Sequence, residues 1–253
     1  MTYCLAAMVE DGLVFASDSR TNAGPDQVST FGKMHVLLEA DDRVFVLLSA
    51  GNLATTQAVR TRVRHDLEFG RQPSLRSAGS MAEAAEYLAT INAEQRRKHA
   101  EAADESVNLA ATFIFGGQIR GRSPGIFLIY PEGNYIRASR LTSFLQVGEL
   151  KYGKPILDRL MRDDLSLEDA ARVALLSMDA TMRSNATVGP PIEVMTYPRD
   201  SFRIRSHWVF QQDDDYLRSL RTAWQSYVEK AFSVLPPLPR QADAAGPLRA
   251  VDE

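Results

Sequence analysis

Thr2 is the residue with the clearest claim to chemistry. It follows Met1, and a methionine before a small residue is expected to be removed, which leaves a threonine with a hydroxyl and a free α-amine. A hydroxyl is a weak nucleophile until a base within hydrogen-bond reach takes its proton, and a threonine's own amine is one such base. The ordinary pKa of an α-amine, about 7.7–8.0, leaves part of it neutral near neutral pH. A lysine ammonium close by would enlarge that fraction by like-charge repulsion. Two charged residues fall where they could attend it. Asp18 ends an apolar run that an Asp-Gly turn folds back on the first run, so it emerges beside the start of the chain. Lys33 opens the next apolar run. Taken singly, Thr2 is an ordinary strand-start residue, Asp18 a turn cap and Lys33 a solvated strand-edge charge; together they outline a site.

Other chemistries find no foothold. There is no Gly-x-x-x-x-Gly-Lys run to cradle phosphates and no Gly-x-Gly-x-x-Gly after a strand. His35, His65, His99 and His207 are far apart, with no metal-ligand spacing, and each reads as a surface or packing residue. No metal and no cofactor is expected. Cys4 lies in an apolar strand and reads as a small buried hydrophobe.

The elements that must position these residues can be read from periodicity. Two apolar runs, 3–9 and 13–16, joined across Asp11-Gly12, predict a β-hairpin covered on both faces. A second strand pair, Lys33–Glu39 and Arg43–Ser49, turns at Asp41-Asp42, and the first fifty residues read as one β-meander. Leu53, Thr56, Val59, Val63 and Leu67 recur at helical spacing up to Gly70, and a second helix is expected from Met81 to about Ala102 with a solvated polar end. Strands follow at 108–115, 125–130 and 134–138, then helices at 151–161 and 167–183, the latter opened by Ser166 with Asp169 three residues on. Strands at 193–197 and 202–210 precede a helix introduced by Asp213-Asp214-Asp215, with Leu217, Leu220, Trp224, Tyr227 and Val228 on one face. Strand blocks alternating with helix pairs predict two stacked sheets flanked by helix layers. Residues 1–234 read as one domain and the Pro/Ala-rich stretch 235–253 as a mobile tail.

The residues that could carry chemistry also carry a resemblance. Thr2-Tyr3-Cys4, the Ser17-Asp18-Ser19-Arg20-x-x-Ala23-Gly24 stretch, Ser29 to His35 with Lys33 in it, Ser49-Ala50-Gly51 at the head of the first helix, and Gly148 to Asp158 together resemble a proteasome β-type threonine hydrolase, in details the bacterial Anbu (ancestral β-subunit) type. The resemblance spans residues 2–210 and implies an α+β fold, the four-layer αββα sandwich of the N-terminal nucleophile hydrolases. It implies that Thr2 is the nucleophile and its amine the proton acceptor. Lys33 would lower their pKa values, Asp18 would hold the Lys33 ammonium, and the Gly51 N–H would face the oxyanion. Thr21 and Asn22 match the loop that pairs with an extended substrate backbone by strand addition. It also implies a ring or open helical homo-oligomer.

Two positions depart from that pattern. Where the family has Asp-x-x-Ser near the nucleophile, this chain has Ser184 and Thr187, whose hydroxyls could still bond the amine without supplying a charge. A Gly-Ser-Gly pattern becomes Gly148-Glu149-Leu150, and Glu149 reads as a lid or interface charge. Two functions therefore stay open: a threonine-type peptidase acting on peptide or protein, and a weakly active or inactive assembly module that keeps the fold. The 253 residues carry 29 Lys and Arg against 32 Asp and Glu, a net charge of −3 that disfavours a nucleic-acid partner. Arg60, Arg62, Arg64 and Arg71 are interleaved with Asp66 and Glu68 and read as a mixed-charge contact surface. No apolar run is long enough for a membrane span, no basic leader precedes Thr2, and a single cysteine suits a reducing compartment, so a cytoplasmic location is expected.

Overall fold

The computed structural model describes residues 1–22, 28–101 and 107–238. Two units emerge, Met1–Asp214 and Asp215–Glu253. The division falls earlier than the 234/235 boundary expected from composition, and the part of that tail from 239 onward lies outside the described residues, as does the end of the second helix beyond 101.

The first unit begins with β1 (Tyr3–Val9) and β2 (Gly12–Asp18), paired antiparallel with Cys4 opposite Ser17. Both runs are almost wholly apolar because both strands are central and covered on each face. Gly12 is not part of the turn but the first residue of β2. A Cβ there would lie 2.0 Å from the Tyr197 carbonyl oxygen, so a neighbouring backbone, not the turn, demands the glycine.

The chain continues through β3 (Arg20–Asn22) and β4 (Val28–Thr30), then β5 (Met34–Ala40) and β6 (Arg43–Gly51). Two helices follow, α1 (Leu53–Glu68), whose Asn52 cap accepts from the Thr55 N–H, and α2 (Met81–Ala100), capped by Ser80. Next come β7 (Ala111–Ile119), β8 (Gly125–Ile129), β9 (Tyr135–Arg137) and β10 (Phe144–Gly148). Helices α3 (Lys154–Leu160) and α4 (Leu167–Ser184) lead to β11 (Ile192–Pro198) and β12 (Ser206–Phe210). Ser166 caps α4 and bonds Asp169, as its spacing predicts.

Two five-stranded antiparallel sheets result, ordered β10-β1-β2-β11-β12 and β5-β6-β7-β8-β9. The single meander expected over the first fifty residues is thus corrected: β1–β2 and β5–β6 belong to different sheets. One core fills the space between the sheets, from Cys4, Ala6, Leu13 and Phe15 on one side to Val44, Val46, Leu48 and Ile114 on the other. A second core joins the opposite face of the second sheet, through Phe45, Leu47, Phe113 and Phe115, to Val59, Val63, Leu88 and Ile91 of α1 and α2. Helix α4 packs on β1, β2 and β11. Helix pair, sheet, sheet, helix pair is the four-layer αββα sandwich.

The second unit contains one described helix, α5 (Asp215–Ser233), with Asp215 in its first turn bonded to Arg218 at 3.1 Å. Among the described residues no helix is long and apolar enough to cross a membrane.

Candidate active site

The β1–β2 register brings the last residue of β2 beside the first of β1. Asp18 Oδ1 accepts the Tyr3 N–H at 2.9 Å, and its other oxygen accepts the Gly189 N–H at 3.4 Å. Lys33, one residue before β5, donates from Nζ to Asp18 Oδ1 at 2.7 Å and to the Arg20 carbonyl at 2.6 Å. Asp18 is fully buried and Lys33 is 6% exposed, so each charge depends on the other. Burial raises the Asp18 carboxyl above its usual range, against the opposing pull of the Lys33 ammonium and the two N–H donors. The Lys33 carbonyl in turn accepts the Ser49 N–H at 2.9 Å, which fixes the end of β6 against it.

Thr2 is held from the opposite edge of β1. Its carbonyl accepts the Glu149 N–H at 2.8 Å, and Gly148 stands opposite Tyr3 in the β1–β10 ladder. Gly148 has φ +86°, and a Cβ on it would lie 1.9 Å from the Thr2 carbonyl oxygen. Only glycine lets the two backbones meet there. Thr2, Lys33, Ser49, Ala50 and Gly51 all line one cavity of about 270 Å³, together with Phe31, His35 and Arg60. A hydroxyl-bearing residue, a buried cation and a strand-end backbone thus face one space, an arrangement suited to acyl transfer. A larger cavity of about 950 Å³ between α1 and α2, lined by Arg62, Asp66, Tyr87 and Glu94 among others, shares no residue with it. Cys4 is buried, its thiol pushed up by burial, and its Sγ lies 3.7 Å from the Ser49 carbonyl oxygen, so it packs as a small hydrophobe. No group of three His, Cys, Asp or Glu among the described residues could hold a metal ion.

The proteasome subunit family matches residues 2–197. The chain belongs to that family. Its sequence is 41% identical to Anbu (ancestral β-subunit) from Yersinia bercovieri, with a TM-score of 0.88 over 94% of this chain and all of that one. It is 40% identical to an Anbu complex from Pseudomonas aeruginosa solved as a helical assembly, with a TM-score of 0.86 over 96% of this chain and all of that one. Proteasome subunit beta 2 of Pyrobaculum islandicum is 25% identical over 209 residues, 80% of this chain and 94% of that protein.

The positions where this chain departs from the proteasome pattern have a structure of their own. Ser184 is exposed on the last residue of α4. The Thr187 hydroxyl donates to Asn185 Oδ1 at 2.5 Å, and the Thr187 N–H bonds the same oxygen at 3.0 Å. Asn185 Nδ2 donates to Glu149 Oε2 at 3.0 Å, while Glu149 Oε1 accepts the Lys151 N–H at 3.2 Å. Glu149 is only 7% exposed, which corrects its reading as a lid or interface charge. It ties the segment that grips Thr2 to the loop that delivers Gly189 to Asp18. Arg20 holds the same loop through the Ala186 carbonyl at 2.7 Å. Asn185 and Gly189 escaped sequence reasoning; the Asn-x-Thr spacing, which closes a local side-chain turn, was the available signal.

Thr21 and Asn22 lie on the short strand β3, facing Ser29 and Val28 of β4 in register. The Ala23-Gly24 half of the motif lies outside the described residues. His35 does more than pack, because it lines the Thr2 cavity. Burial, and then the nearby Arg60 charge, hold its imidazole down at about 4, so it is neutral at physiological pH.

Proposed function

We propose that this chain is a threonine-type amidase of peptides, in which Thr2, freed of Met1, is the nucleophile. The observation that carries the reading is the buried Lys33–Asp18 pair at 2.7 Å, with Lys33 and Thr2 lining one cavity. The neutral Thr2 amine takes the hydroxyl proton as Oγ attacks the scissile carbonyl. The tetrahedral intermediate collapses, the C–N bond breaks, and the same proton passes to the leaving amine. Water then cleaves the acyl ester on Thr2, with the amine again as base. Lys33 keeps the amine unprotonated by like-charge repulsion, and Asp18 keeps Lys33 in place. The Gly51 N–H is the proposed donor to the oxyanion; such a donor contributes about 2.7–4 kcal/mol in the transition state. Thr21 and Asn22 would pair with the substrate backbone, and Ser184 and Thr187 would support the amine.

We also propose that the protein works as a homo-oligomer, as the helical assembly of the 40% identical Pseudomonas protein suggests. A second reading, an assembly module with little or no hydrolytic activity, draws on Thr187, whose hydroxyl donates to Asn185 rather than toward Thr2.

Intact-mass analysis with a peptide epoxyketone separates the two. Loss of Met1 and one added inhibitor mass, absent in Thr2→Ala, is the expected result. A processed Thr2 that stays unlabelled supports the assembly module.

A further inference from the structure

The cavity beside Thr2 adjoins a second one. His35, Gln57 and Arg60 line both, and the second, about 330 Å³, continues along α1 to Arg64. Arg60 and Arg64 are one helical turn apart and so share a face. Their neighbour Arg62 is spoken for, bonded to Asp66 at 2.8 Å and near Glu94 at 3.8 Å. Among the described residues, neither Arg60 nor Arg64 forms an ion pair, and no Asp or Glu lines either cavity. Lys33 lies at one end of this groove and Arg64 at the other.

An unpaired guanidinium drawn partly out of water is costly. Burial and the repulsion of Arg64 both act against the Arg60 charge. His35 offers no relief, because its ring is neutral. A carboxylate entering the groove would meet a planar fork of donors with no competing protein acid, a geometry that guanidinium and carboxylate match in two parallel hydrogen bonds.

We propose that the groove selects an acidic side chain, glutamate or aspartate, at the residue whose carbonyl is attacked by Thr2, and that Arg60 is the residue that selects it. This rests on the reading of Thr2 as the reacting centre and names the substrate class for it. Leucine-rich peptides would leave Arg60 desolvated and unpaired. Basic ones would be repelled by Arg60, Arg64 and Lys33 together.

The test separates recognition from chemistry. In the Thr2→Ala protein, calorimetric titration compares two blocked peptides that end in glutamate amide or in glutamine amide, which share a shape and differ in charge. Glutamate should bind about tenfold more tightly, as one charge-assisted pair allows. Arg60→Gln should erase the preference, Arg60→Lys should restore part of it, and Arg62→Gln, which lines neither cavity, should leave it intact. Equal affinities, or a preference that survives Arg60→Gln, overturn the proposal. In the wild-type protein, epoxyketones carrying a glutamate or a leucine side chain are then compared by rate of labelling. Faster labelling by the glutamate compound supports the proposal, and faster labelling by the leucine compound overturns it. A glutamate preference in binding with no labelling by either compound would refute Thr2 as nucleophile and, with it, the assignment of the acidic side chain to the attacked residue.

Discussion

Asp18 and Lys33 carry opposite charges that are almost wholly buried, and their energetics separate stability from function. Removing one partner strands the other, so Lys33→Ala should cost about 3–5 kcal/mol in urea denaturation and abolish labelling of Thr2. The double change Asp18→Asn with Lys33→Met removes both charges and keeps similar volumes. It should recover much of the lost stability while leaving Thr2 unlabelled. Recovery of labelling in the double variant would mean that the pair is structural only. His35 gives a second residue-scale prediction. Its imidazole is held at about 4 in the fold against an ordinary 6.5. Between those values the unfolded chain binds a proton that the folded one refuses, so this residue makes stability fall as pH drops from 6.5 toward 4. Asp18, raised by burial, acts in the opposite sense. His35→Asn should therefore flatten the acid side of a plot of urea midpoint against pH, and an unchanged slope would count against a half-buried neutral ring. That Asp18 and Lys33 come together beside Thr2 was legible in the sequence because a hairpin and a strand start placed them, whereas Gly51 was singled out only by the family resemblance. Arg60 and His35 were not legible, because whether a helix arginine meets a strand histidine depends on how α1 lies on β5, which no local pattern records.

Local signals succeed at the scale of elements where the deciding contact is a few residues away. The Ser166 cap and the stop at Gly70 are both where the sequence puts them. They fail where the partner is distant. β10 was not anticipated, since five residues between polar segments carry little period. Its partner β1 lies about 140 residues earlier in the chain. The meander failed for the same reason: both early strand pairs read as buried, and only the docking of β11 along β2 shows that β5 is excluded from that sheet. The grip of β10 on Thr2 gives a prediction here. Gly148→Ala sets a Cβ against the Thr2 carbonyl and asks an L residue to take φ +86°. The expected result is a loss of about 1–3 kcal/mol from backbone strain alone. Displacement of Thr2 should also slow labelling by about 100-fold, in line with the cost of an ångström of misplacement. Gly121, also at positive φ but with nothing within 4 Å of a Cβ there, is the control: Gly121→Ala should share the strain and leave the labelling rate intact.

For the whole molecule, the catalytic reading needs only the Met1–Asp214 unit, since both sheets, both cores and every residue around Thr2 lie within it. Helix α5 lies in the other unit. Most helical stability in a protein comes from the packing of an amphipathic face, and α5 carries one in Leu217, Leu220, Trp224, Tyr227 and Val228. Yet Tyr227 is 66% exposed, Val228 44% and Phe232 75%, and Val234 and Leu235 beyond its end are exposed as well. Contiguous exposed apolar residues on a helix mark a surface that another molecule covers, and the proposed homo-oligomer supplies one. Sedimentation velocity over a range of concentrations should show large species for the full chain. Replacing Tyr227 and Phe232 together by serine should shift the distribution to smaller species without moving the urea midpoint of the two-sheet body. If the double variant assembles as the parent does, the oligomer is held elsewhere and α5 serves another partner. If assembly is lost and labelling of Thr2 with it, the site depends on its neighbours, whereas retained labelling shows that each protomer carries a complete reacting centre.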